Sequence, residues 1–164
     1  MKRMLLMFAA MCLLTACGGD DEEEVLQQTA IEDTQLKNAL SALDGVWFYE
    51  ETVINDIKKN WRITFSVYSS QQTILSAHNN TGGAFDGTMN YVFTYNNSED
   101  ERSDYYFYLR PTSDTSGKLY AYGKTSDGTY SITDTKQMTY RLSGSTLYLL
   151  LPYANEERPF TKQQ

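Results

Sequence analysis

The strongest nucleophile available to this 164-residue chain is a cysteine thiolate, and there are two cysteines, Cys12 and Cys17. Cys17 follows Leu14-Thr15-Ala16 and precedes Gly18. Those small neighbours leave the backbone open to a peptidase and the thiolate open to alkylation as a thioether. The other reactive groups do not converge. His78 is the one histidine, in Ser76-Ala77-His78-Asn79-Asn80. A Ser-His-Asp relay would have to use it, and no Gly-x-Ser-x-Gly elbow presents a serine. Glu99-Asp100-Glu101 lacks the spacing and the glycine of a calcium loop, and no clustered ligands suit zinc. Gly82-Gly83 reads as a turn rather than a phosphate cradle. Asn79-Asn80-Thr81 and Asn96-Asn97-Ser98 match a glycosylation sequon by chance. Paired carboxylates for glycoside hydrolysis would be recognised by their separation, which a sequence does not display. The expectation is no enzyme, with a hydrolase as the remaining catalytic alternative, and neither cofactor nor metal.

Around Cys17 the chain is organised for export. Met1-Lys2-Arg3 is a positive start, and Met4 to Leu14 is apolar and uncharged. That run is too short to span a bilayer, which takes ~20 apolar residues, and it has the charge and length of a secretory signal. Leu14-Thr15-Ala16-Cys17 resembles the lipobox of bacterial lipoproteins. The resemblance implies cleavage before Cys17 and a diacylglyceryl thioether on its sulfur, so that the protein is held on a membrane by lipid. Gly18-Gly19 leads into Asp20-Asp21-Glu22-Glu23-Glu24, a block of five acids that repels itself and stays solvated. It resembles the surface-export signal of Bacteroidota lipoproteins, which implies an outer-membrane protein facing outward. A plain acidic spacer on a protein facing the periplasm is the alternative. The expected organisation is signal peptide 1–16, lipidated tether 17–28 and a folded domain 29–164.

Removing residues 1–16 leaves 12 basic against 21 acidic residues, a formal charge of −9. Five of the acids lie in the tether, so the domain is mildly acidic and offers no basic patch for nucleic acid. Cys12 leaves with the signal and Cys17 is taken by lipid. No thiol then remains for a disulfide, a redox pair or a zinc site, and the domain must be held by core burial. With 13 Tyr, 7 Phe and 2 Trp, the apolar supply is ample.

The elements that would position any site follow from periodicity. Thr29-Ala30-Ile31-Glu32 has capping-box spacing. Leu36, Leu40 and Leu43 then fall on one helical stripe, which Asp44-Gly45 ends. Beyond Val46 the period is two. Trp61, Ile63, Phe65 and Val67 alternate with Arg62, Thr64, Ser66 and Tyr68; Tyr91, Phe93 and Tyr95 with Asn90, Val92 and Thr94; and Met138, Tyr140 and Leu142 with Thr139, Arg141 and Ser143. Further strands are expected near 46–53, 72–77, 104–110, 118–124, 129–133 and 146–152. Turn signals at Thr81-Gly82-Gly83, Asn96-Asn97-Ser98, Ser113 to Gly117, Asp127-Gly128 and Ser143-Gly144 separate the runs. An all-β antiparallel meander of eight or nine strands, closed as an up-and-down barrel behind a short N-terminal helix, is the expected fold. A two-sheet sandwich is its competitor.

Gly45-Val46-Trp47 resembles the Gly-x-Trp signature that opens the first strand of lipocalins. Gly128-Thr129-Tyr130-Ser131-Ile132 and Ser143 to Leu149 resemble late hairpins of the lipocalin-like domains of Bacteroidota lipoproteins. The resemblance spans about residues 40–160. It implies an eight-stranded barrel with an open mouth, plugged at its other end by Trp47 with Arg158 as the arginine stacked on it.

Two readings of function follow, since this fold hosts many. A small apolar or glycan-like ligand would sit in the mouth against Trp61, Phe65, Tyr91, Phe93 and Phe107. Alternatively the barrel is filled by its own side chains and docks a protein partner. If Tyr105, Phe107 and Leu109 point inward, then Tyr106 and Tyr108 point out, joined by Tyr120 and Tyr122. That tyrosine face is either a docking patch or is covered by the N-terminal helix or long loops.

Overall fold

A computed structural model describes residues 33–53, 57–152 and 154–164. The chain divides into a unit Met1–Thr34, of which only Asp33 and Thr34 are among those residues, and a unit Gln35–Gln164 that contains the whole sheet. The signal peptide, Cys17, the acidic tether and the capping box at Thr29 lie outside the described residues.

Eight strands form one closed antiparallel barrel in simple up-and-down order. They are β1 (Gly45–Thr52), β2 (Lys58–Leu75), β3 (Gly82–Tyr95), β4 (Ser98–Ser113), β5 (Ser116–Lys124), β6 (Tyr130–Ser143), β7 (Thr146–Leu150) and β8 (Arg158–Lys162). A short helix, α1 (residues 33–43), precedes β1. The expected barrel is therefore present and the sandwich is not. Two boundaries differ from the sequence reading. The runs at 61–68 and 72–77 belong to one strand, β2, and those at 129–133 and 138–143 to another, β6. The polar stretch Ser69-Ser70-Gln71 is a bulge within the strand rather than its end, since pairing with β3 resumes at Gln72. β8 escaped notice because Arg158-Pro159-Phe160-Thr161-Lys162 has one buried apolar residue, Phe160. It closes the barrel through Trp47↔Lys162 and Phe48↔Thr161.

Alternation places one core inside. Trp61, Ile63, Phe65, Phe107, Leu109, Leu119, Tyr140, Leu147 and Phe160 belong to it, and Ala39 and Leu43 of α1 join them. The Tyr140 hydroxyl is buried there without a hydrogen-bond partner among the described residues, and burial pushes its pKa up to about 12. A buried, unbonded hydroxyl costs free energy that a phenyl ring does not. Tyr140→Phe is therefore expected to stabilise the fold by about 1 kcal/mol in urea unfolding. The raised pKa also means that Tyr140 disfavours folding once pH climbs above 10, so the variant should hold its stability better between pH 10 and 12. A loss of stability at neutral pH would show that the hydroxyl has a partner.

α1 ends against the sheet through its own carbonyls, which have no helical partner. Asp44 N–H donates to Leu40 O at 3.0 Å, Trp47 Nε1–H to Leu43 O at 2.7 Å, and Lys162 Nζ to Ala42 O at 3.0 Å. Gly45 makes the link at φ +116°, a conformation that side chains disfavour.

The tips of β2 and β3 do not continue the barrel wall. The register between them jumps from Val67↔Gly87 to Gln72↔Phe85, leaving extra residues on β2. That bulge turns the hairpin, residues 68–86, onto the outside of β4, β5 and β6. A Cβ on Gly87 would collide with the Ser66 carbonyl oxygen and lie 2.8 Å from Phe107 Cε1, so the bend needs glycine. This arm packs Phe85 on the rings of Tyr106, Tyr108, Tyr122 and Tyr130, at centroid distances of 5.4, 6.5, 5.7 and 5.0 Å. At its far end Ala77 N–H donates to Tyr130 O at 2.9 Å. The outward parity of Tyr106 and Tyr108 is as expected, and the cover is a strand hairpin rather than the helix or a loop.

Asp86 anchors the base of the arm. Its Oδ2 accepts from Leu109 N–H at 2.8 Å, replacing the strand that has left, and its Oδ1 accepts from Gln71 Nε2 at 3.0 Å. Burial raises its pKa, against the pull of those two bonds. An acid whose pKa is raised on folding favours the native state most below its ordinary value of 3.8 and loses that contribution as pH rises through the folded value. The stability of Asp86→Asn relative to the parent should therefore increase as pH rises from about 4 and then level off. Denaturation at a series of pH values checks this; a relative stability that falls with pH would mean that the hydrogen bonds outweigh burial.

Candidate binding site at the barrel mouth

The interior changes character along the barrel. At the α1 end it is solid: Trp47, Phe65, Phe107, Leu119, Leu147 and Phe160 are almost wholly shielded from solvent, and Phe65 meets Phe107 edge-on at 5.4 Å. The opposite end carries the β1–β2, β3–β4, β5–β6 and β7–β8 connections. Here a cavity of about 280 Å³ is bounded by Met89 and Tyr91 of β3, Glu101 and Tyr105 of β4, and Lys136 and Met138 of β6. Leu151, Pro152 and Ala154 of the β7–β8 connection and Arg158 of β8 complete it.

Register explains why charged groups face inward here. Tyr105 lies opposite Met89 and Glu101 opposite Phe93, with the bulge that takes up Asp100 just beyond. Lys136 lies opposite Ala121, and Arg158 opposite Leu149; all of these partners are inward. The Arg158 guanidinium stacks on the Trp61 ring at 4.2 Å. Trp61 is itself stacked with Tyr49 at 5.3 Å and tilted against Phe93 at 5.2 Å. Lys136 bridges Asp134 at 2.9 Å and lies 6.0 Å from the Tyr105 ring. The Tyr91 hydroxyl feels both signs of charge. Burial and Glu101 raise its pKa, while Arg158 and a hydrogen bond with Trp61 lower it, and the net shift is upward.

Of the residues expected on a ligand, Tyr91 lines the cavity. Trp61 and Phe93 are not among its lining residues but pack on each other at a tilt, and Trp61 is linked to the cavity through the Arg158 guanidinium that it carries. Phe65 and Phe107 belong to the closed, filled half and line no part of the mouth. Trp47 sits at the α1 end, its indole N–H on the Leu43 carbonyl. The cation over it is not Arg158 but Lys162, at 5.2 Å, because Lys162 pairs directly with Trp47 in the ladder while Arg158 starts β8 near the mouth. The polar mouth residues Glu101, Lys136, Tyr105 and Arg158 went unread as a group. The available signal was a charge at an inward position of an alternating strand, as at Lys136 before Met138 and Tyr140.

A second, outer cavity of about 410 Å³ lies between the arm and the wall, lined by Gly83, Ala84, Phe85, Tyr108, Tyr122, Tyr130, Ile132 and Thr135. It is larger, yet it brings no charged side chain to a point, whereas small-molecule sites combine an apolar surface with a few convergent polar groups. His78 is exposed in the turn at the arm's tip, where its N–H meets Ser76 Oγ at 3.2 Å. Among the described residues no group of three His, Cys, Asp or Glu side chains could hold a metal ion. No family model, no curated protein and no solved structure matches this chain.

Proposed function

We propose that this protein is a lipid-anchored, lipocalin-like lipoprotein of the outer membrane that binds one small ligand in its barrel mouth and presents that mouth at the cell surface. The observation that carries the binding reading is the contrast within one barrel. The closed half is packed solid, while the other end holds a cavity where Tyr91, Glu101, Tyr105, Lys136 and Arg158 converge over methionines. At about 280 Å³ the space is just below the range of small-molecule sites, which run from about 300 to 1,000 Å³, and that small size counts against any but a compact ligand. A long lipid tail has no room; a single sugar ring or a compact organic molecule does.

Native mass spectrometry of the protein purified from its own host is the test. A small molecule should be retained in a one-to-one complex and lost from Met138→Trp, which fills the cavity. A ligand-free parent that recovers one constant protein on cross-linking in native membranes would overturn this reading. It would favour the second one, an accessory protein that docks a partner at the outer groove beside Tyr108 and Tyr122. The address rests on the lipobox and the acids behind it. Mass spectrometry of the mature N-terminus should find a diacylated Cys17, and protease should shave the domain from intact cells. An unmodified Cys17 would remove the anchor, and full protection would turn the protein to the periplasmic side.

A further inference from the structure

Two opposite charges line the mouth cavity without meeting each other. Glu101 lines it from β4 and Arg158 from β8, and both charges act on the Tyr91 hydroxyl, which lines the same cavity. Among the described residues neither forms an ion pair. The same cavity shows what a satisfied pair looks like, since Lys136 is bridged to Asp134 at 2.9 Å. Arg158 is also held ready for a planar anion. Its guanidinium carbon sits over the Trp61 ring at 4.2 Å, and a guanidinium fixed at one point in this way presents N–H groups that suit a bidentate acceptor. Between the two charges the cavity is apolar, with Met89, Met138 and Leu151.

From this juxtaposition we propose that the ligand class is a compact zwitterion of the α-amino-acid type, its carboxylate on Arg158, its ammonium on Glu101 and a short aliphatic side chain on Met89, Met138 and Leu151. The inference rests on the mouth being the binding site. An anion alone would leave Glu101 facing it, a cation alone would leave Arg158 facing it, and a neutral sugar would leave both charges without a counter-charge. Only a ligand with both signs answers both walls, and at this volume it is limited to one small molecule.

The test is calorimetric titration of the full-length protein with valine, leucine and methionine. Each is paired with its des-amino acid and its decarboxylated amine, and glucose serves as a neutral probe. The amino acids should bind at least tenfold more tightly than either truncated partner. Arg158→Gln should abolish the preference over the amine while keeping that over the des-amino acid; Glu101→Gln should do the reverse. This crossed pattern is one that a merely destabilised mouth would not produce. Equal or tighter binding of the acids or amines alone overturns the zwitterion and leaves the mouth site standing. So does glucose binding that Met138→Trp blocks while the amino acids fail to bind. If no probe binds and native mass spectrometry finds the cavity empty, the zwitterion and the mouth site fall together.

Discussion

Trp47→Ala is expected to cost about 3–5 kcal/mol, much of the 5–15 kcal/mol that holds a domain of this kind together. The side chain is 1% exposed and does three jobs at once. Its indole fills the closed end of the barrel. Its N–H satisfies the Leu43 carbonyl at the end of α1, at 2.7 Å. Its ring carries the ammonium of Lys162 at 5.2 Å, and that ammonium satisfies the next carbonyl back, Ala42 O, at 3.0 Å. Removing the ring therefore opens a cavity and frees both ends of the clasp between α1 and the β1–β8 seam. That seam is short, with two residue pairs, a Gln163 N–H to Val46 O bond at 2.8 Å and the Tyr49–Phe160 ring contact at 5.7 Å beside them. Trp47→Phe keeps most of the apolar volume and loses the hydrogen bond, so it should cost about 1–2 kcal/mol beyond its smaller ring. Lys162→Met, which keeps the stem over the ring, isolates the ammonium. Urea unfolding of the three variants checks the order; a cost below about 1 kcal/mol for Trp47→Ala would mean that α1 and the seam do not depend on it.

Gly45 and Trp47 each have a structural reason here: glycine for a backbone at φ +116°, tryptophan for a helix end that needs donors. Inward alternation was legible in the sequence, since Trp61, Ile63 and Phe65, or Met138 and Tyr140, announce their face by period. What escaped reading depends on pairings far apart in the chain. β8 is a strand because Lys162 and Thr161 complete the circuit to β1, and nothing local in Arg158 to Lys162 demands it. Arg158 could be picked out as a stacking arginine, but whether it meets Trp47 or Trp61 is decided by where β8 starts. Glu101 looked like part of a solvated acidic run, yet it shares the inward parity of Tyr105 and Phe107 in unbroken register up to Phe93, and the bulge that takes up Asp100 lies just beyond it.

Phe85→Ala is expected to release the β2–β3 arm without opening the barrel. Phe85 is 2% exposed and is the hub of the outer cluster, touching the rings of Tyr106, Tyr108, Tyr122 and Tyr130. Its truncation should cost about 3–5 kcal/mol. The cost falls on a hairpin that has already left the ladder at Gly87, and its remaining ties to the wall are few. They include the Asp86 carboxylate on Leu109 N–H at its base and the Ser76–Tyr130 bridge near its tip. A cooperative unit held this way opens alone when its free energy of docking is removed. Amide exchange should therefore accelerate over residues 72–86, Ala77 among them, while amides of β1 and of β5 from Leu119 to Tyr122 stay protected. Tyr106 and Tyr130, shielded in the parent, should become reactive to nitration. Phe85→Leu, which restores most of the apolar contact, should return protection to the arm. Uniform acceleration across all eight strands would show that arm and barrel unfold as one. Unchanged exchange would show that Asp86 and the tip contacts suffice. The tyrosine face is apolar enough to need a cover, and the chain provides one by lengthening two strands past the barrel rim and bending them at a glycine.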